Sequence, residues 1–331
     1  VDLLSAVNIF APSWDRCDSY GWIALSLAER LVNAGITVNM HGNGLPTPRK
    51  EKGGICLGYP TMYKGFGADL SRPCVAVSMF ESTELPEGWV DVFNQCKAVV
   101  VPSQWVKHVF KQNGVTSPLH VVPLGIRDMM PQRRPTGRKP FTFLAVADRG
   151  HRKGFDLAIK AWRQGKFARK DKYKLILKAR AGMFKHVRPN PPNIEIVEDD
   201  LSDKDMQKLF YRTDCLISAS RGEGLNLWPL EYIRSGGPVI ATAYSGHTEF
   251  TDYCYALRYK LSDAWFDAKK FEGLGKWAEP DLDHLIELMH FVAQPDPRIQ
   301  DTALRNAHQI IGKFNWDRFA QQVRVIWESV A

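Results

Sequence analysis

The sequence predicts an α/β protein of two doubly wound, Rossmann-like domains with parallel sheets. Short β-branched apolar runs alternate with amphipathic helical stretches, the order that parallel βαβ units impose. At 331 residues and 44% hydrophobic, the chain is long enough to bury two cores. Between the two sets of runs lies 128–140, with three prolines and four basic residues, which reads as a linker.

In the first half, Val7-Asn8-Ile9-Phe10 reads as a strand, and 20–34 as a helix stopped by Gly35. Ile36 to Met40 supplies a second strand, and Gly42 to Gly58 reads as a loop because it is rich in Gly, Pro and charge. Val75 to Met79 and Ala98 to Val101 are further strands, a helix follows at 104–112, and His120 to Pro123 closes the half. In the second half Phe141–Val146, Lys174–Lys178, Ile194–Val197, Cys215–Ser218 and Pro238–Thr242 read as strands separated by helices. The expected domains are therefore 1–132 and 133–314, with 315–331 as a terminal helix. No internal repeat is visible.

Composition narrows the class. No stretch approaches the roughly 20 consecutive apolar residues of a membrane span. Val1-Asp2-Leu3-Leu4-Ser5 lacks the basic and apolar regions of a signal peptide, although a chain opening on Val leaves a removed leader open. Cysteines 17, 56, 74, 96, 215 and 254 are scattered without CxxC spacing, so they read as reduced structural thiols. A soluble, cytoplasmic enzyme is the expectation.

The most specific segment runs Arg221-Gly-Glu-Gly-Leu-Asn-Leu-Trp-Pro-Leu-Glu231, followed by Ser235-Gly-Gly-Pro-Val-Ile-Ala-Thr242. Here a strand leads into a glycine loop, a helix, a glycine stop and the next strand, with the polar groups at the first strand's carboxyl end. Ligands bind at that end in open α/β sheets. Glu223 on the loop can face a reacting group, while Glu231, farther along the helix, can reach a more distant part of the same ligand. The segment resembles the Glu-x7-Glu signature of family-4 retaining glycosyltransferases of the GT-B fold. Phe80-Glu81-Ser-Thr-Glu84-Leu-Pro86, Val100-Val-Pro-Ser-Gln-Trp105 and Val122-Pro-Leu-Gly125-Ile126 are similar to stretches of a subgroup of that family. The resemblance implies two domains facing across a cleft and a last helix that crosses back to the first domain. A DNA-modifying, phage-type member is one variant of it.

The resemblance also assigns roles. It implies that Glu223, with Gly222, Gly224, Leu225 and Asn226, lies at the donor sugar, and that Glu231 holds the ribose hydroxyls of the nucleotide. Asp148-Arg149-Gly150-His151-Arg152-Lys153-Gly154-Phe155-Asp156 is similar to the family's element that binds the donor phosphates, which implies that role for Arg149 and Lys153. The loop is shorter than usual, so Arg152 can stand in for Arg149. Fixed cations at a departing diphosphate stabilise its charge without a metal, and no Asp-x-Asp metal motif appears. The expected cofactor list is thus empty apart from the nucleoside-diphosphate sugar. In the first half, Gly21 sits where the family has a glycine-rich phosphate loop, and a helix start there offers free N–H groups. Tyr20 beside it reads equally well as a core aromatic. Glu81 ends a strand on the side of the expected cleft, and either bonds a substrate hydroxyl or caps the next helix.

Charge is the last feature. The net +8 is uneven: 133–188 carries 18 Lys or Arg against three acids, a local +15, which leaves −7 for the remainder. Such a surplus suits a polyanion, either duplex DNA with a hydroxymethylated base or an anionic membrane surface, or it is simply a solvated face. The reading is a retaining, metal-independent transfer of a sugar to a hydroxyl acceptor of open class. The alternatives are a DNA or lipid acceptor, a nucleotide-sugar epimerase, and an inactive scaffold. A dehydrogenase is disfavoured, because the first strand is followed by Ala11-Pro-Ser-Trp-Asp-Arg-Cys-Asp-Ser-Tyr-Gly21 and not by Gly-x-Gly-x-x-Gly.

Overall fold

The computed structural model describes residues 6–15, 19–45, 53–146, 150–169, 171–180, 193–266 and 274–331. They form two compact units, one of residues up to Gly125 together with Phe314–Ala331, the other of Ile126–Lys313. The first unit begins with β1 (Ala6–Ala11), α1 (Ser19–Asn33), β2 (Thr37–Gly42), β3 (Gly54–Leu57) and β4 (Cys74–Val77). It continues with α2 (Trp89–Gln95), β5 (Ala98–Val101), α3 (Gln104–Gln112) and β6 (Leu119–Val121). Its strands pair in the order β2-β1-β3-β4-β5-β6, all parallel. Gly35 takes φ +82 just past α1, where a side chain would be strained. Ser103 caps α3 by accepting from the Val106 N–H.

The second unit opens with β7 (Phe141–Val146), α4 (Phe155–Gln164), β8 (Tyr173–Lys178), β9 (Ile194–Val197), α5 (Asp203–Tyr211), β10 (Cys215–Ser218), α6 (Leu227–Arg234) and β11 (Val239–Thr242). Then come β12 (Tyr255–Leu257), β13 (Tyr259–Asp263), β14 (Lys276–Pro280), α7 (Leu282–Val292) and α8 (Pro297–Ile310). Its main sheet is also parallel, in the order β12-β11-β10-β7-β8-β9. The strand order reverses between β7 and β10. A core of Phe143, Trp162, Phe167, Leu175, Leu177 and Ile217 lies under the sheet. The last helix, α9 (Trp316–Glu328), groups with the first unit. There Trp316 stacks on Trp22 of α1 at 6.4 Å, and Asp317 pairs with Arg30 at 2.8 Å.

The structure corrects several expectations. Gly42 to Gly58 is not all loop: β3 lies within it as an inner strand between β1 and β4, with all four residues buried. Its paired glycines, Gly53 and Gly54, hid it. A Cβ on either would stand 2.2 or 2.3 Å from a neighbouring carbonyl oxygen, so the glycines mark close packing and not a turn. Beside the parallel sheets stands an antiparallel ribbon, β13 with β14. Residues 128–140, expected as a linker, do lack helix and strand but lie within the second unit and are anchored to it. Arg134 is buried there, and its guanidinium donates to the carbonyls of Thr213, Phe210, Gln132 and Ser235 and to Ser235 Oγ. The five described cysteines are unpaired, four of them buried. No described helix is long and apolar enough to cross a membrane.

Candidate active site

The reversal between β7 and β10 defines where a ligand belongs, because helices leave adjacent strands in opposite directions there and open a crevice at the carboxyl ends. Two loops leave that point. The one after β7 carries Arg152 and Lys153 in a 3-10 turn, and the one after β10 carries Arg221 to Asn226. Gly154 joins the turn to α4 with φ +72, and a Cβ there would lie 2.0 Å from the Ala219 carbonyl oxygen. Only glycine lets the two loops touch.

Glu223 is the centre. Its buried carboxylate accepts from Arg152 Nη1 at 2.9 Å and Lys153 Nζ at 2.9 and 3.1 Å, with Asn226 Nδ2 at 3.3 Å from Oε1. Burial pushes the carboxyl up, but Lys153 and Arg152 outweigh it and hold the group at about 2. Two cations against one carboxylate leave the site a net positive charge. Arg152 Nη1 also donates to the Gly222 carbonyl at 2.6 Å. Gly224 and Leu225, next in the same loop, are buried.

Three further residues complete the site: Ser245 and His247, which sequence reasoning missed, and Arg221, which it named without a role. Ser245 and His247 follow β11, the neighbouring strand of the same sheet edge. Ser245 Oγ accepts the Glu223 N–H at 2.9 Å, and Gly246 N–H donates to the Glu223 carbonyl at 2.9 Å. His247 is buried between the Thr242 carbonyl, 3.0 Å from Nδ1, and Asn226 Nδ2, 3.0 Å from Nε2. Burial, ahead of any charge, depresses it to about 4, so the ring is neutral. Arg221 lies under the loop with 1% exposure, donating to Asp156, Glu279 and the His151 carbonyl. The signal that could have found Ser245 and His247 is their position after a strand next to the reversal.

Glu231 is placed on α6, fully buried and covered by Arg127. The Arg127 backbone N–H donates to it at 3.3 Å, and the guanidinium also reaches Asp203 at 2.9 Å and lies 5.2 Å from the centre of the Trp228 ring. Burial pushes the Glu231 carboxyl above its ordinary value despite Arg127. Arg127 follows the Val122-to-Ile126 motif directly and was not singled out. Gly21 and Glu81 belong to the other compact unit. Gly21 lies in the first turn of α1, where a Cβ would stand 2.3 Å from the Asp15 carbonyl oxygen. Glu81 follows β4 and is half-buried near Tyr20, whose hydroxyl is bonded to the Met79 backbone. Arg149 lies outside the described residues.

Residues 127–252 match the family model described as glycosyl transferases group 1. No curated protein matches the chain. Among solved structures it is similar to a sucrose-phosphate synthase from Thermosynechococcus elongatus, with 12% identity, TM-score 0.70, and 98% of each chain covered. An alpha,alpha-trehalose 6-phosphate synthase from Burkholderia multivorans gives 11% identity and TM-score 0.63, over 96% of this chain and 77% of that one. TarM gives 12% and 0.61, over 92% of this chain and 58% of that one, so this chain spans little more than half of TarM's length. At such identities the likeness is one of fold. The chain thus has the GT-B fold of two Rossmann-like units, and the stretch 127–252, which carries the Glu223 loop and Glu231, is similar to the glycosyl transferases group 1.

Proposed function

We propose that the chain transfers a sugar from a nucleoside-diphosphate sugar to a hydroxyl acceptor, with retention and without a metal. The observation that carries this reading is Glu223 held between Arg152 and Lys153 at the strand-order reversal. In the reaction the bond from the anomeric carbon to the diphosphate oxygen breaks, and the acceptor oxygen bonds that carbon on the same face. The acceptor's proton passes to the departing phosphate. Arg152 and Lys153 stabilise the charge on the diphosphate, a task for preorganised cations in a partly dry site. Glu223 stays ionised and orients those cations and the sugar. Glu231 takes the ribose once Arg127 moves off it. Gly21 and Glu81 are proposed for donor phosphate and acceptor contacts from the first unit, and Arg149 for the phosphates beside Lys153.

Charge bears on the choice of acceptor. Much of the 133–188 surplus is engaged by carboxylates or buried: Arg133 with Asp301, Arg138 with Asp214, Lys160 with Asp156, Lys174 with Glu195, and Arg134 within carbonyls. Among the described residues Lys139, Arg163, Lys166 and Lys172 have no carboxylate partner. The reading therefore rests on a hydroxyl acceptor in general, and DNA enters as a test. The experiment is incubation with UDP-, ADP-, GDP- and TDP-sugars, with and without DNA containing hydroxymethylated bases, followed by mass spectrometry. Donor turnover supports the reading, and a sugar found on nucleosides assigns the acceptor to DNA. Absence of both transfer and slow donor hydrolysis rejects it.

A further inference from the structure

Asn226 stands at the N-cap of α6, where an Asn side chain ordinarily accepts a backbone N–H of the first turn. Here it makes no such bond. It also holds φ +76, a left-handed conformation that costs a non-glycine residue energy. The side chain is spent on the site instead: Nδ2 lies 3.0 Å from His247 Nε2, 3.1 Å from Ser218 Oγ and 3.3 Å from Glu223 Oε1. A helix that gives up its cap at a strained residue needs a reason.

The hydrogen bonds fix the orientation of the amide. His247 Nδ1 faces the Thr242 carbonyl, which only accepts, so the ring proton sits on Nδ1 and Nε2 presents a lone pair. The Asn226 edge that meets this lone pair and the Glu223 carboxylate must be the donating one. A flipped amide would set its oxygen against two acceptors. We infer that His247 is a positioning residue: through Asn226 it holds the third corner of Glu223 and leaves Asn226 Oδ1, at the opposite edge of the amide, to accept from a hydroxyl of the donor sugar. Asn226 is half-buried where Glu223 and His247 are buried, which suits a group that meets the ligand. The inference rests on the donor-sugar role proposed for Glu223.

Charged groups around the imidazole act in both directions. Glu223 favours its protonation, Lys153 and Arg152 oppose it, and burial opposes it most. Phe250 packs beside the ring at 5.2 Å and Ser218 Oγ lies 3.5 Å from Nε2. Protonation would turn Nε2 into a donor and expel the Asn226 N–H from its place.

Two readouts test this. Nitrogen-15 NMR of the ligand-free protein with labelled histidine at pH 7 should show His247 neutral with the proton on Nδ1. The Nε2 tautomer or an imidazolium would overturn the inference, whether or not the protein turns over sugars. Kinetically, His247→Gln keeps an acceptor at the Nε2 position and should retain kcat for donor hydrolysis, whereas His247→Phe should lower it about 10-fold or more, with unchanged affinity for the nucleoside diphosphate of whichever donor in the panel is turned over. Equal kcat in the two variants would overturn it. If the wild-type protein turns over no donor, the proposed function fails and the NMR result still decides the amide orientation.

Discussion

Lys153 and Arg152 share one carboxylate, so either can serve an incoming diphosphate without leaving Glu223 unpaired. Lys153→Ala should therefore lower kcat by about 10²- to 10³-fold with a smaller change in donor KM. Equal kcat and KM for variant and parent, under steady-state hydrolysis of the donor, would remove Lys153 from the mechanism. Glu231→Ala should act the other way and raise the donor Kd by about 10-fold, measured by calorimetry. The two glutamates, the glycine turn and Lys153, with Arg152 only as a stand-in for Arg149, were legible because strand, loop and helix follow one another in sequence there. Arg127 and His247 were not. One lies 104 residues before its partner Glu231, and the other is 21 residues after Asn226 on a different loop. Their contacts come from tertiary folding, which no local spacing encodes.

At the scale of elements, glycine decides how loops meet. Gly154→Ala would force a positive-φ alanine into the Ala219 carbonyl, so α4 and the 151–153 turn before it must shift. We expect a loss of about 1–3 kcal/mol in urea melts, together with weaker donor binding. Unchanged stability and binding would mean that the contact relaxes freely. The same chemistry explains what the sequence concealed. Most strands followed from their buried β-branched runs, because the parallel sheets bury them on both faces. β3 broke that pattern with Gly53 and Gly54, whose missing side chains serve close packing against Pro73 and Asn8. The β13–β14 ribbon is half-exposed and charged, so it carried no apolar run to see.

Across the whole molecule, the site makes stability depend on pH. Folding depresses His247 from 6.5 to about 4 and Glu223 from 4.5 to about 2, so at both groups the native state binds fewer protons than the unfolded chain. Their contributions are complete above about pH 6.5 and are lost as pH falls, first through about 4 and then through about 2. Each is of the order of 3 kcal/mol. Glu231 runs opposite: its raised value gives stability below its unfolded pKa that disappears as pH rises through the folded one. Chemical denaturation at pH 7, 5 and 3.5 should show stability falling, with most of the first decrement absent in His247→Gln. A flat profile would contradict the neutral, buried imidazole.

Arg221 carries a kinetic consequence. Its guanidinium grips Asp156 at the start of α4, Glu279 on β14 and the carbonyl of His151. Its own N–H and C=O bond Arg152 and Ala278. One side chain thus fastens the 151–153 turn, the Glu223 loop and the ribbon, so opening any one of them strains the other two. Their amides should exchange with deuterium as one cooperative unit, with Arg221 and Ala278 sharing a single opening free energy. Arg221→Lys, which cannot hold two carboxylates in a planar fork, should split that unit into segments with separate rates.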